Sequence, residues 1–313
     1  MIKEEFYFDS RDGENRIHAV RYTPDDGKVK AVVQVVHGMA EYVERYENLA
    51  EFLTKRGILV TGEDHLGHGK SVSEGGSFGY FCEQDPATVV VRDVHRLKKI
   101  TEEQYPQVPY IILGHSMGSF IARNYLCRYG SGIGGAVIVG TGMQPAGLIF
   151  ASKAMAGIQK LFCGSKHVSH FIDKAAFGGY NKRIDSPRTS SDWLSRNTEN
   201  VDRYIEDELC GFTFTVNGFQ TLFELIRRLQ KQENLEKVPQ NLPILMVSGA
   251  EDPVGDYGKG VHKACDSLKR AGVKNITVKL YENDRHELLN EDDAEVAMED
   301  IWQWICKEIP GIA

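Results

Sequence analysis

Val108-Pro109-Tyr110-Ile111-Ile112-Leu113-Gly114-His115-Ser116-Met117-Gly118 decides how this chain is read. An apolar, β-type run leads into Gly-x-Ser-x-Gly, and a helical pattern follows it. At such a strand-to-helix junction the two glycines let strand and helix approach closely, and the serine takes the strained geometry of a nucleophile elbow. Gly-x-Ser-x-Gly also arises by chance in glycine-rich loops, and this chain has 31 glycines. The strand in front of the motif separates the two readings.

A serine hydroxyl is a weak nucleophile at neutral pH, so the chain has to supply a base, a carboxylate to orient it and donors for an oxyanion. Two later β-type runs end in polar loops. Leu242–Gly249 leads to Ala250-Glu251-Asp252-Pro253, and Ile276–Tyr281 leads to Glu282-Asn283-Asp284-Arg285-His286-Glu287. Catalytic groups in open α/β sheets collect beyond the carboxyl ends of the strands, where Ser116, Asp252 and His286 would all sit. Glu251 and Asp256 share the acid's loop, and Asp284 lies two residues from the histidine. Asp252 is favoured because Pro253 pre-sets the chain after it, whereas the other two loop acids read equally well as solvated charges. The oxyanion donors are the N–H of Met117, after the nucleophile, and that of Met39, in His37-Gly38-Met39 after the run Ala31–Val36.

These pieces resemble the α/β-hydrolases of the monoacylglycerol lipase and lysophospholipase group, which is itself similar to the serine aminopeptidase family. The resemblance rests on His37-Gly38-Met39-Ala40-Glu41-Tyr42 with Arg45-Tyr46, Asp64-His65-Leu66-Gly67-His68-Gly69-Lys70-Ser71, the serine elbow, Asp252 and His286. It implies the catalytic roles of Ser116, Asp252 and His286. It also implies a structural loop at Asp64–Ser71 and an insertion that caps the site and shapes an acyl pocket. Tyr42 departs from the group, which usually carries histidine there.

Asp64, His65 and His68 invite a metal assignment, but no further anchored ligand stands at zinc-like spacing and the stretch is a glycine-rich loop, so no metal is expected. The mechanism calls for no cofactor. A net charge of −7 and the lack of a basic, aromatic-interleaved patch argue against nucleic acid. No signal-peptide pattern opens the chain, and no apolar run approaches the roughly eighteen residues of a membrane span. Six scattered cysteines read as reduced thiols, which points to the cytoplasm.

The alternation of elements predicts a mostly parallel sheet with helices on both faces. It starts with a hairpin, strands 4–9 and 15–23, and continues with helices near 45–56 and 87–104. A helix near 218–235 and a closing helix at 292–307 follow. The rhythm breaks over 144–215, which has helical fragments at 148–162 and 191–196 and many aromatic residues. The expected layout is therefore a core of 1–143 and 216–313 with a helical cap at 144–215. Within the cap any one aromatic residue serves as well in a small core of its own as in a substrate pocket.

Carboxylic-ester hydrolysis, of monoacylglycerol, lysophospholipid or similar acyl esters, is the leading reading, with transient contact between the cap and a membrane surface. A proline-iminopeptidase-like peptidase is the alternative, for which Glu206, Asp207 and Glu208 offer a carboxylate for a free amino terminus. A non-catalytic ligand-binding role is more remote, because a binder has no need of all three catalytic positions.

Overall fold

A computed structural model describes residues 1–312. The chain opens with β1 (Ile2–Asp9) and β2 (Arg16–Thr23), paired antiparallel from Ile2–Thr23 to Asp9–Arg16. Then come β3 (Ala31–Val36), α1 (Glu47–Thr54), β4 (Ile58–Glu63), α2 (Pro86–Gln104), β5 (Tyr110–His115), α3 (Met117–Tyr129) and β6 (Gly135–Val139). Three helices intervene before the core resumes: α4 (Ala146–Cys163), α5 (His170–Phe177) and α6 (Thr198–Glu206). The remainder is α7 (Val216–Arg228), α8 (Gln232–Leu235), β7 (Ile244–Gly249), α9 (Lys259–Arg270), β8 (Ile276–Tyr281) and α10 (Ala294–Glu308). All strands join one sheet in the order β1-β2-β4-β3-β5-β6-β7-β8, parallel from β4 onward.

β3 to β7 are buried along their whole length, which is why they read as continuous apolar runs. Successive side chains still divide between two cores with the period of a strand. Val32, Val36, Ile112 and Ile138 pack with Val90, Val94 and Leu97 of α2, Ile121 and Tyr125 of α3 and Leu268 of α9. Val33, Val35, Ile111, Leu113 and Val137 face Leu49 and Leu53 of α1 and Ile301 and Ile305 of α10. Helices thus cover both faces, as the alternation predicts.

Two segments differ from the sequence reading. The helix expected over 218–235 is broken into α7 and α8, because the Asn234 side chain donates to the Arg228 carbonyl at 2.9 Å and terminates the first piece. The fragment at 191–196 is a single 3₁₀ turn, Asp192–Leu194. The Asp192 carboxylate turns back to the Arg188 N–H and the Thr189 hydroxyl, and Ser195 is already extended.

The elbow depends on close backbone contact. A Cβ at Gly118 would lie 1.9 Å from the Val36 carbonyl oxygen, and one at Gly114 would lie 2.4 Å from the Gly118 carbonyl oxygen. Only glycine lets β3, β5 and α3 meet this tightly.

Glu63, at the end of β4, is buried; Gln34 Nε2 donates to one carboxylate oxygen at 3.1 Å, while the other has no partner. Burial first, then the neighbouring Asp93 charge, pushes its pKa from 4.5 up to about 8. A raised carboxyl pKa means that the folded state holds the proton longer than the unfolded chain, so stability is lost as pH rises between those values. Glu63→Gln, which keeps the neutral shape, should gain stability over wild type by about 1 kcal/mol per pH unit across that window. Urea unfolding at pH 5 and pH 9 measures the difference; a constant difference would mean Glu63 titrates normally.

Candidate active site

β5, β7 and β8 end at the same edge of the sheet and deliver Ser116, Asp252 and His286 to it. His286 Nδ1 lies 3.0 Å from Asp252 Oδ2. Asp252 is fully buried and also accepts from Ser248 Oγ at 3.2 Å and from the Val254 N–H at 2.8 Å. Its carbonyl accepts the Tyr257 N–H at 2.9 Å, closing a turn in which Asp256, Tyr257 and Gly258 all have positive φ (47°, 54° and 85°). Glu251 and Asp256 are exposed, and Asp284, whose pKa burial pushes up to about 6, is paired with Arg196. Of the carboxylates weighed from sequence, the structure therefore brings Asp252 alone to the histidine.

Ser116 is half-buried, with φ 54° and ψ −121°, and its N–H donates to the Val139 carbonyl at 3.0 Å. A Cβ at Gly38 would stand 3.1 Å from Ser116 Cβ, so the loop carrying Met39 lies against the serine. Met117 opens α3, where an N–H has no intrahelical acceptor. Among the described residues Ser116 Oγ makes no hydrogen bond to His286; such contacts are often loose without substrate. The His286 ring lies between His115 and Trp193, with centroids 4.8 and 5.1 Å away. A Cβ at Gly140 would approach His286 Cε1 to 3.1 Å, which leaves glycine as the residue that fits beside the imidazole.

Beneath the site is a charged cluster that the sequence reading missed. Buried Glu41 accepts from the Gly38 N–H (2.6 Å), Tyr46 OH (2.9 Å), His115 Nδ1 (3.1 Å) and Arg45 Nη1 (3.0 Å). Burial opposes its charge, yet the hydrogen bond and charge of His115, with Arg45, hold its carboxyl well below the usual range. His115 is correspondingly raised against its own burial by Glu41. With both ring nitrogens protonated it also donates from Nε2 to the His286 carbonyl, 3.1 Å away. Arg45 makes a bidentate pair with Glu287 at 2.7 and 2.8 Å. The i,i+4 spacing of Glu41 and Arg45 was the available signal, but nothing in it announces burial.

The segment Asp64–Ser71 is spent on backbone. The Asp64 carboxylate accepts from His18 Nδ1 (2.8 Å), the Val43 N–H (2.9 Å) and the Lys70 N–H (2.9 Å). His68 bonds the Leu66 carbonyl, and His65 packs on His37; burial lowers the pKa of both His65 and His68.

Strand order, elbow and the loops after β7 and β8 define an α/β-hydrolase. The family model described as serine aminopeptidase, S33, matches residues 27–293, and the chain belongs to that family. Monoglyceride lipase of Rattus norvegicus is 30% identical over 273 residues, 87% of this chain and 80% of that protein. Monoacylglycerol lipase of Mycolicibacterium smegmatis is 27% identical over 289 residues, 92% of each chain. Among solved structures, a thermostable carboxyl esterase from Bacillus coagulans in complex with glycerol superposes with a TM-score of 0.91 at 31% identity over 99% of both chains.

Glu41→Ala should cost about 3–5 kcal/mol, because it leaves a buried imidazolium unpaired and takes one carboxylate from Arg45. Lys99→Ala, which breaks an exposed pair with Glu102, should barely move the urea midpoint. Comparable midpoints for the two variants would show that the buried cluster contributes little.

Proposed function

We propose that this protein hydrolyses carboxylic acyl esters, with Ser116 as nucleophile, His286 as base and Asp252 as the orienting acid. The observation that carries the reading is the imidazole of His286 held at 3.0 Å by a fully buried carboxylate at the sheet edge where the strained serine stands. His286 takes the Ser116 proton as Oγ attacks the ester carbonyl, and Asp252 fixes the tautomer and stabilises the cation. The N–H groups of Met39 and Met117 hold the tetrahedral oxyanion. Collapse of that intermediate expels the alcohol, which takes the proton from His286. Water then attacks the acyl-enzyme by the same route and releases the acid. No step calls for a cofactor.

The substrate class is monoacylglycerol or a similar lipid monoester, supported by the monoglyceride lipases among the relatives. We assign 144–215 as the cap over a core of 1–143 and 216–313. Leu148, Phe150, Leu161, Phe162 and Phe171 of α4 and α5 are exposed, and residues 146–184 hold six Lys or Arg against one Asp. That apolar, basic surface suits transient contact with a lipid aggregate or membrane. No helix among the described residues is long and apolar enough to cross a membrane. The six unpaired cysteines favour the cytoplasm. The peptidase alternative is disfavoured by Asp207, whose carboxylate is occupied by Tyr42 OH at 2.8 Å and by the Leu209 N–H at 2.9 Å, while Glu206 and Glu208 are exposed.

Ser116→Ala should lower turnover by about 10⁶ and abolish fluorophosphonate labelling without unfolding the protein. Asp252→Asn should cost about 10⁴ through the wrong tautomer, with Glu251→Gln and Asp256→Asn close to wild type. Turnover of Ser116→Ala within tenfold of wild type would overturn the nucleophile, and a crippled Asp256→Asn would reassign the acid.

Acyl length reads the pocket. Each buried methylene is worth about 0.8 kcal/mol, close to fourfold, so kcat/KM should climb several-fold per two carbons from acetate until the pocket is full. A peak at acetate, or faster cleavage of a proline-arylamide than of any ester, would defeat the lipid-ester reading.

A further inference from the structure

Arg123 lies on the buried side of α3 with 2% of its surface exposed, and no carboxylate among the described residues pairs with it. Its Nε and Nη2 have no partner, while Nη1 donates to the Gly142 carbonyl at 2.9 Å and to Thr141 Oγ1 at 3.3 Å. Thr141 Oγ1 is 2.8 Å from Ser119 Oγ, and Ser119 Oγ is 2.6 Å from the Ser116 carbonyl oxygen.

Counting hydrogens fixes the direction of this chain. The carbonyl of Ser116 can only accept, so the single hydroxyl hydrogen of Ser119 goes to it. Thr141 must then donate to Ser119, and its oxygen is left to accept from Arg123. Every bond runs one way, from a buried guanidinium to the carbonyl of Ser116, and bonds so aligned polarise one another.

The far end of that carbonyl's peptide unit is the N–H of Met117. A trans peptide is planar, so its C=O and N–H point in opposite directions, and fixing one fixes the other. We infer that Arg123 is a positioning residue that, through Thr141 and Ser119, aims and polarises the Met117 N–H toward the oxyanion. The inference rests on the assignment of Ser116 and Met117 made above. A positive charge behind the carbonyl draws electron density from the amide and makes its N–H a stronger donor where negative charge develops. The cost of burying a cation without a counter-ion, seen in a pKa lowered to about 10, is set against that gain.

The test is transition-state binding per active site. Thr141→Val removes the relay's central hydroxyl at nearly constant volume, Thr141→Ser restores it, and Arg123→Met removes its head. Loss of a whole oxyanion donor costs about 10²–10³; a donor mis-aimed and depolarised should cost less. With sites counted by fluorophosphonate titration, Thr141→Val and Arg123→Met should each lower kcat about 10- to 30-fold on p-nitrophenyl butyrate, with KM within twofold. The inhibition constant of an alkyl trifluoromethyl ketone, whose serine adduct carries the oxyanion, should rise by the same factor. Thr141→Ser should return both to within twofold, and the double variant should be no worse than the poorer single one. Unchanged kcat and inhibition constant in Thr141→Val, or independent losses that multiply, would overturn the inference. The Thr141 pair decides the matter if Arg123→Met does not fold. Ester hydrolysis persisting in Ser116→Ala would instead bring down the nucleophile assignment, and is read separately.

Discussion

The backbone of Ser116 is the constraint around which the rest is arranged. A non-glycine residue at φ 54°, ψ −121° costs on the order of 1–3 kcal/mol and persists only where its surroundings over-determine it. Here they do so on three sides. The Ser116 N–H is locked into the β5–β6 ladder, its carbonyl takes both the N–H and the hydroxyl of Ser119, and Gly118 lies hard against the Val36 carbonyl. The strain therefore presents the hydroxyl without letting the strand end fray.

A second strained turn does the corresponding work at β7. Three consecutive left-handed residues, Asp256 to Gly258, exist to bring the Tyr257 N–H back onto the Asp252 carbonyl, while the Asp252 side chain is held by Ser248, Val254 and His286. Asp252 and Ser116 are thus fixed by unfavourable backbone geometry held with local hydrogen bonds. His286 is fixed differently, by charge. Protonated His115, made so by Glu41, grips the His286 carbonyl, and Arg45 ties Glu41 to Glu287, the residue after the histidine.

The parts legible in sequence were those with a local signature. Gly114-His115-Ser116-Met117-Gly118 after an apolar run, and Asp252 and His286 after two more, are patterns whose geometry follows from neighbours along the chain. The buried charges were not legible, because Glu41, Arg45, His115 and Glu287 become a cluster only when the segments after β3, β5 and β8 meet. Trp193 stood out as aromatic, but its packing on His286 depends on where a turn between α5 and α6 docks, and no periodicity encodes that. Phe214, by contrast, packs on Phe81 and His68 in the main core, neither in a separate core of the cap nor in a substrate pocket.

The segment between β6 and α7 is itself held in two unlike ways. Its later half is tied by polar contacts to the loop that carries His286: Arg285 donates to the Asp192 and Ser195 carbonyls, Ser195 Oγ and the Arg196 N–H bond Glu291, and Asn200 Nδ2 reaches Glu287 at 2.6 Å. Tyr42 and the Gly211 N–H to Ala40 carbonyl bond fasten it to the Met39 loop as well. Pulling this half away would strip buried charges of their partners, each a cost of several kcal/mol, and would disturb His286 and Met39 together. In the earlier half α4 packs on α7 and α5 on α4, and Phe150, Leu161, Phe162 and Phe171 are exposed to solvent. This half is held by apolar contact, without the buried ion pairs that hold the later half. The loops that carry Met39 and His286 are thus held in register by the polar half of this segment, whichever way α4 shifts.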